Sequence, residues 1–356
     1  MKTRVRTTGL LLAMILGTTL SAQNQDCYIK KSYPSRPGTT LRISSKYGNV
    51  NFIAAKSDSI SICATVTIEH DNSELVRKSL NLISVKIDKV NDTVSVLTII
   101  DKKFFSETYR LGRKSFSVDM MIRAPSYINI DIINEFGNVT ADDISGRFNV
   151  RLSYGLLSAT KISRGYISPV NSVNVDNGKI FLDGINWMSA TIRNCSSAEI
   201  GKAQALMIKS DFSKIRIKSV NSMIADSKSD IYRIDTLKNL VSESIYTSIN
   251  ILKFSGKMLS NVTYGSINID ELLNDFSDID ITSVNAPISI APEKGVSFRT
   301  DIVVTNAALD FPLKDEPGIV KNDSNNSTSC NGIYGNNKMT ESLIKIRSTA
   351  GKVTLR

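Results

Sequence analysis

The stretch from Tyr246 to Ile269 reads YTSINILKFSGKMLSNVTYGSINI, and it states one short pattern twice. YTSINI at 246–251 returns as YGSINI at 264–269. In each copy an aromatic residue precedes a small residue, and a strand of alternating aliphatic and polar residues follows. Copies at a fixed step indicate a repeat architecture, in which each unit packs on its neighbours.

The same pattern occurs along most of the chain. The clearer copies lie at Lys46–Phe52, Glu135–Ala141, Ser153–Leu157, Asp176–Leu182 and Asp211–Ile217, and weaker ones lie near Ser197 and Ser229, at Asn285–Ile290 and at Ala350–Leu355. With the small residue as the mark, one unit follows another about every 18 residues, as in a regular repeat. A unit of this length is too short for a propeller blade and has no helix-forming stretch, so it predicts one coil of an all-β, parallel β-solenoid.

The alternation within each unit predicts which side chains face the core, because a period of two is typical of a strand with one buried face. The predicted inward positions include Ile215, Ile217, Ile249, Ile251, Ile267 and Ile269. The outward positions are expected to be polar. At the corner we expect Gly to adopt the positive φ, with Asn177 and Asn285 tolerating the same region. Coils in register would stack the corner aromatics Phe136, Tyr154, Phe212, Tyr246 and Tyr264 as a ladder. The alternative is that these aromatic residues form a strip that binds sugar rings.

The rest of the chain divides around the repeats at 126–310. Residues 23–125 are expected to form an irregular β-rich region, with strands at 60–68, 93–100 and 116–122 and one short helix at 73–85 capped by Asp71, Asn72 or Ser73. Residues 311–340 are expected to be a polar loop, rich in Asn and Ser, that is inserted before a final solenoid strand at 341–356.

Residues 1–22 read as an export signal. Lys2, Arg4 and Arg6 precede the uncharged apolar run Gly9–Gly17, and Ala22 suits cleavage before Gln23. A buried N-terminal helix is the alternative. The apolar run is too short to cross a bilayer, and no later segment is long enough, so no transmembrane helix is expected in the mature chain. The expected location is extracytoplasmic.

Charge and cysteine usage exclude several function classes. The net charge is +10, but the basic residues are scattered, which indicates a solvated surface and no nucleic-acid partner. Cys27, Cys63, Cys195 and Cys330 are too far apart for a compact zinc motif, and four cysteines allow three pairings. We expect four unpaired cysteines, with Cys63 and Cys195 as small core side chains. The residues before Cys27 do not suit lipidation.

No motif in the chain predicts catalysis. The sole histidine, His70, is expected at a surface turn, and no metal ligand or cofactor-binding residue is identified. The enzymatic alternative is a carbohydrate-active β-helix enzyme that would use clustered carboxylates. Its candidates are Asp142, Asp143 and Asp183 near turns, and Asp275, Asp278 and Asp280 in one stretch. Asp278 and Asp280 share a strand face opposite Ile279 and Ile281, which is also typical of solvated side chains.

The YG and FG turns with short I-x-I strands resemble the adhesin-like families of unknown function in bacterial envelopes. Among these is the autotransporter-adhesin domain named for its Gly-Ile-Asn head. The similar segments are Gly265–Ile269, Arg123–Gly137 and Ser348–Val353. The resemblance implies a right-handed β-solenoid, an extracytoplasmic place in the periplasm or on the outer surface of a Gram-negative, Bacteroidota-type host, and no catalytic residues. We therefore expect a non-catalytic structural or adhesive module that binds envelope glycan, lipid or protein, through residues that the sequence does not identify.

Overall fold

The computed structural model describes residues 28–69, 72–110, 116–311 and 318–356. It is all-β apart from two short helices, and its strands form one long, mostly parallel sheet. The expected all-β class is therefore confirmed. The predicted export signal, Cys27 and His70 lie outside the described residues.

The N-terminal region contains both helices. Its elements are β1 (Ile29–Pro34), β2 (Thr40–Lys46), β3 (Val50–Ala54), β4 (Ser59–Ile68), α1 (Ser73–Leu80), β5 (Ile83–Val90), β6 (Thr93–Ile100), α2 (Lys102–Arg110) and β7 (Phe116–Ala124). The three strands predicted here are confirmed as β4, β6 and β7.

The prediction of one short helix at 73–85 was wrong in two respects. The Asn72 side chain does cap α1, accepting from the N–H groups of Glu74 and Leu75. However, α1 ends at Leu80, because Ile83 to Val85 alternate in burial and begin a strand instead. A second helix, α2, was not predicted, and the Asp101 carboxylate accepts from the Lys103 N–H in its first turn.

The central part of the chain consists of strands alone. They are β8 (Asn129–Glu135), β9 (Val139–Ile144), β10 (Phe148–Ser153), β11 (Leu156–Ile162), β12 (Asn171–Asp176), β13 (Lys179–Arg193), β14 (Ser197–Asp211), β15 (Lys214–Lys228), β16 (Ile231–Ile245), β17 (Ser248–Thr263) and β18 (Ser266–Val284). From β13 to β18 each strand pairs in parallel with the next, so that one strand with its corner makes one rung of a stack.

Burial along a rung follows the predicted alternation. All six predicted inward isoleucines are buried, and the matching positions of successive rungs pair with one another, as Ile249 does with Ile267. In β13 the alternation is interrupted at two places, where two outward positions follow one another at 183–184 and 186–187. Where two successive residues both point outward, the strand bends around the core of the stack. Each long strand therefore presents more than one outer face.

The corners are built on residues with positive φ that are not glycine. In stacking order they are Tyr47, Phe136, Tyr154, Asn177, Asn194, Phe212, Ser229, Tyr246, Tyr264, Asn285, Ala350 and Asn306. Their φ values lie between 49° and 60°. From Tyr47 to Ala350, each corner N–H donates to the carbonyl before the next corner, at 2.8–3.1 Å. From Asn177 to Tyr264 the corners follow one another at an almost constant step along the chain, and the weak copies centre on Asn194 and Ser229.

The expectation that Gly supplies the positive φ at the corner was therefore wrong. The glycine follows the left-handed residue, and close approach between rungs explains its presence. A Cβ on Gly137 would lie 1.9 Å from the carbonyl oxygen of Gly48, and one on Gly265 would lie 2.0 Å from that of Thr247. The tolerance of Asn177 and Asn285 for positive φ is confirmed.

The aromatic ladder forms as two separate stacks. Tyr47, Phe136 and Tyr154 make one, with ring planes within 7° and centroids 4.8–5.1 Å apart. Tyr246 and Tyr264 make the other, at 5.2 Å and 13°. The corner neighbours of Phe212 are Asn194 and Ser229, so the prediction that Phe212 joins a continuous ladder was wrong.

The last elements close the C-terminal end of the stack. They are β19 (Ile288–Pro292), β20 (Phe298–Thr305), β21 (Leu309–Asp310), β22 (Ile319–Ser324), β23 (Ser327–Tyr334), β24 (Leu343–Thr349) and β25 (Val353–Leu355). The described part of the expected loop at 311–340 contains an antiparallel hairpin, β22–β23. Strand β24 lies between β18 and β20, so the stacking order differs from the chain order.

Antiparallel strands border the parallel stack at both ends. At the N-terminal end β4 pairs antiparallel with β1 and β7, and β5 pairs antiparallel with β6. At the C-terminal end β23 pairs antiparallel with β20 and β22. Covering the last parallel strands in this way reduces the risk of edge-to-edge association.

The cysteines differ from the expectation of four unpaired residues. Cys63 is disulfide-bonded, which corrects its assignment as a free core side chain. Cys195 and Cys330 are free, as expected, and Cys195 is buried in the core as predicted. Cys330 is buried as well, which was not predicted, and burial raises the pKa of both thiols.

Candidate functional site

Four aliphatic side chains form a continuous stripe on the outer surface of the stack. Met207, Ile224, Val241 and Leu259 occupy matching positions on β14 to β17, one residue per rung. Between 36% and 53% of each residue is exposed. We call these four residues the apolar stripe. Contiguous exposed apolar surface of this kind is typical of binding sites.

The same column of positions is polar on the neighbouring rungs. Before the stripe it contains Arg42, Asp131, Asn149, Ser172 and Ser189, and after it Asp280, Lys345 and Asp301. A strand facing water needs polar residues at these positions. The apolar residues are therefore restricted to four successive rungs, and the general rule that outward residues are polar was wrong at this point.

The stripe lies in a groove of about 730 Å³. Its floor is low because the adjacent column carries the smaller residues Ala205, Ser222 and Asn239, one on each of β14 to β16. Every rung across the groove pairs with the rung before and after it. The strands under the groove are therefore paired on both sides, with irregularities in register at Lys238–Asn239 and around Gly256.

An aromatic pair closes one end of the groove. Trp187 on β13 contacts Tyr166, with ring centroids 4.8 Å apart and planes at 51°. Tyr166 belongs to the long connection between β11 and β12. The side-chain amide of Asn171 donates to the Trp187 carbonyl at 2.9 Å, and that of Asn186 donates to the Ser163 carbonyl. The bond from Asn186 attaches the connection to β13, and the bond from Asn171 joins the start of β12 to the same strand.

Charged residues border the other end. Lys257, Asp278 and Asp280 all line the groove there. Asp280 forms an ion pair with Lys345, with Nζ 2.8 Å from Oδ2. Asp278 and Asp280 share the outward face of β18, while Ile279 and Ile281 are buried behind them, as the sequence predicted.

The candidate carboxylates of the sequence analysis therefore do not come together in one site. Asp278 and Asp280 reach the groove, whereas Asp275 is exposed and lies outside its lining. Asp143 forms a long ion pair with Lys161, at 3.8 Å, and Asp142 is exposed. Asp183 borders a separate polar depression of about 470 Å³. Within the described residues no group of three or more His, Cys, Asp or Glu side chains could hold a metal ion.

A buried carboxylate lies at a corner and does not line the groove. Asp230 accepts from the Ser213 N–H at 2.7 Å, the Ser210 hydroxyl at 2.6 Å and the Lys228 N–H at 3.2 Å. The Tyr232 hydroxyl lies 2.6 Å from that of Ser210. Burial raises the pKa of Asp230, against the effect of these hydrogen bonds, and burial also raises the pKa of Tyr232.

Sequence reasoning missed the apolar stripe, although a signal for it exists. Each rung contains a doublet of adjacent apolar residues that breaks the alternation: Leu206-Met207, Met223-Ile224, Leu240-Val241 and Met258-Leu259. The first residue of each doublet is buried and the second is outward. A doublet that recurs at the repeat step indicates apolar residues on both faces. Tyr166 and Trp187 carried no such signal, because a tertiary contact unites them.

No protein-family model and no curated protein matches the chain. Among solved structures, the crystal structure of a "putative cell adhesion protein" from Clostridium sporogenes matches over 92% of this chain and 98% of that chain, at 9% sequence identity and a TM-score of 0.16. A likeness at that TM-score supports no conclusion about the ligand of this chain. In the described residues, no helix is long and apolar enough to cross a membrane.

Proposed function

We propose that this chain is an exported, non-catalytic binding module of the bacterial cell envelope, which presents the outer face of a right-handed β-solenoid to its ligand. The apolar stripe carries the proposal. Four successive rungs replace polar outward residues with Met, Ile, Val and Leu, although water contact disfavours these side chains. A repeated surface of this type suits binding through many weak contacts.

The envelope location and the handedness rest on the sequence. The basic start, the short apolar run and Ala22 support export, with the mature chain beginning near Gln23. The resemblance to adhesin-like envelope families supports the right-handed solenoid and a structural or adhesive role in the periplasm or at the outer surface of a Gram-negative cell. The partner would be glycan, lipid or protein.

A carbohydrate-active enzyme is the second candidate, because Asp278 and Asp280 line the groove together. Glycoside hydrolysis uses two carboxylates that flank the scissile bond. Here the two carboxylates lie two residues apart on one strand face, at one end of an otherwise apolar groove, and Lys345 neutralises one of them. This arrangement suits a charged border better than an acid–base pair.

Incubation of the mature protein with bacterial polysaccharides, envelope lipids and envelope protein fractions tests the two candidates. We expect saturable binding without product, and weaker binding by Leu259→Glu. Leu252→Glu is the matched control, since Leu252 is equally exposed on the same strand but lies outside the groove. Turnover that disappears in an Asp278→Asn, Asp280→Asn double variant would establish the enzyme and refute the binding module.

A further inference from the structure

We propose that the groove binds one hydrocarbon chain of a zwitterionic, single-chain amphiphile, whose polar head lies between Lys257 and Asp278. This inference rests on the proposed binding function and names the ligand class of the same groove. It follows from the width of the groove, the state of the backbone beneath it and the charges at its end.

The groove is long and narrow. Trp187 and Asp278 are separated by five rung steps, which is about 24 Å at the spacing of strands in a sheet. The apolar stripe is only one side chain wide, because Lys209, Asp226 and Glu243 occupy the next outward column on one side. The volume of the groove, about 730 Å³, lies within the range of small-molecule sites. A flat membrane or a flat protein surface would contact the charged column as well as the stripe.

The backbone beneath the groove argues against a peptide or a glycan. Because every rung there pairs with both neighbours, no edge is available to add a strand from a peptide. A peptide laid along the stripe would bring one N–H and one C=O per residue, and sugars would bring hydroxyl groups. The floor offers few polar side chains, Ser222 and Asn239 among them, to satisfy such groups. A hydrocarbon chain needs no polar partner.

The charged end complements a head group that carries both signs. Asp280 is paired with Lys345, whereas Lys257 and Asp278 lie on adjacent rungs and neither has an ion pair within the described residues. Lys257 suits a phosphate and Asp278 suits an ammonium group. An anionic head alone would meet the Asp278 carboxylate, and a cationic head alone would meet Lys257.

Trp187 makes the test specific, because it is the single tryptophan of the chain and lies at the far end of the groove. The probes are hexadecanoyl-lysophosphatidylethanolamine, hexadecanoate and hexadecyl maltoside, which differ in their heads, each below its critical micelle concentration. We expect the lysophospholipid to change the Trp187 fluorescence at one equivalent and to bind more tightly than the other two. Calorimetry gives the stoichiometry.

Separate variants test where the hydrocarbon chain of the amphiphile binds and where its polar head binds. Leu259→Glu should weaken binding by about tenfold or more, because it places a carboxylate in the apolar stripe, whereas Leu252→Glu should bind like the wild type. Asp278→Asn and Lys257→Gln should weaken the lysophospholipid and leave hexadecyl maltoside unchanged. Circular dichroism and the thermal midpoint establish that each variant is folded.

Each other outcome overturns the inference. Binding of all three probes with equal affinity would refute the assignment of the polar head to Lys257 and Asp278. Binding by Leu259→Glu that equals that of the wild type would refute the assignment of the hydrocarbon chain to the apolar stripe. Tighter binding to intact phospholipid vesicles than to the monomeric lysophospholipid would indicate a membrane surface instead. If no amphiphile binds but a glycan or protein does, and Leu259→Glu abolishes that binding, the ligand class is wrong and the binding module stands. If nothing binds, both fail.

Discussion

The corner of the stack is built in two ways, with glycine in the outer rungs and with polar side chains in the central ones. At Gly137 the backbone lies so close to the preceding rung that a Cβ would be 1.9 Å from the Gly48 carbonyl oxygen. At the equivalent positions of the central rungs stand Cys195, Ser213, Asp230 and Thr247. Both versions follow a residue with positive φ, so the corner backbone is shared while the contact between rungs differs.

The central corners connect their rungs through side chains. Ser213 Oγ accepts from the Cys195 N–H at 3.1 Å, Asp230 Oδ1 from the Ser213 N–H at 2.7 Å, and Thr247 Oγ1 from the Asp230 N–H at 3.2 Å. Each side chain therefore satisfies a buried donor of the rung before it. At this position most rungs therefore carry either glycine or a side chain that bonds to a neighbouring rung, and the exceptions are Ala286 after Asn285 and Ala307 after Asn306.

The largest expected effect comes from adding a methyl group to a glycine corner. Gly137→Ala should lower the free energy of unfolding by about 3 kcal/mol or more, because the clash is with backbone that cannot rotate away. Gly184→Ala is the control, since its Cβ would meet the Thr160 carbonyl oxygen at an ordinary 3.5 Å. Denaturant unfolding of both variants gives the comparison. Equal stabilities would mean that close approach does not explain the corner glycines.

Removing the acceptor from a central corner should have the next largest effect. Asp230→Ala leaves the Ser213 and Lys228 N–H groups without their acceptor, which should cost about 1–3 kcal/mol. Asp226→Ala is the control, because Asp226 is exposed and pairs only with Lys209, so a change within about 0.5 kcal/mol is expected. If thermal and denaturant unfolding find Asp230→Ala as stable as Asp226→Ala, the side-chain connection contributes nothing.

The aromatic corners give a smaller effect that depends on their neighbours. Tyr246→Asn removes a stacked ring pair with Tyr264, whereas Phe212→Asn removes a ring between Asn194 and Ser229. Asn tolerates the positive φ equally at both positions, so this contribution cancels. We expect Tyr246→Asn to lose about 0.5–1.5 kcal/mol more than Phe212→Asn in denaturant unfolding. A larger loss at Phe212 would contradict the division of the ladder into two stacks.

The smallest effect concerns pH. Because burial raises the pKa of Asp230, the folded state holds its proton to higher pH than the unfolded state does. Stability from this group is therefore greatest below the unfolded pKa, near 3.9, and is lost as the pH rises through the folded pKa. Hydrogen bonds from Ser210 and Ser213 partly oppose the shift, which keeps the effect small.

The stability difference between wild type and Asp230→Asn, followed by denaturant unfolding from pH 7 towards pH 4, tests the direction. We expect the wild type to gain on the variant as the pH falls. If the stability of the wild type relative to Asp230→Asn increases as the pH rises, the folded state favours the ionised carboxylate of Asp230 instead.

The elements that the sequence predicted well are those with local causes. Alternation placed the isoleucines of β15, β17 and β18 inward, and the predicted cap residue Asn72 begins α1. Helix α2 was missed although Asp101, which accepts from the Lys103 N–H, is a local signal for its start. The end of α1 was placed too late, because the apolar residues Leu80, Leu82 and Ile83 continue past it. The two degenerate repeats were placed at Ser197 and Ser229, since Cys195 and Asp230 do not look like glycine until their contacts across rungs are known.

By itself the sequence determined the all-β class, the repeat step and the faces of the strands, because strand alternation and corner chemistry act over a few residues. Only the tertiary structure decided which strands pair with each other and which side chains from different rungs are neighbours. The insertion of β24 between β18 and β20 requires pairing between positions far apart in the chain, such as Ile279 and Ile344. The groove likewise requires Tyr166, Trp187 and the apolar stripe to meet from different rungs. Contacts of this kind depend on stacking order, and stacking order is a property of the packed sheet that no local pattern records.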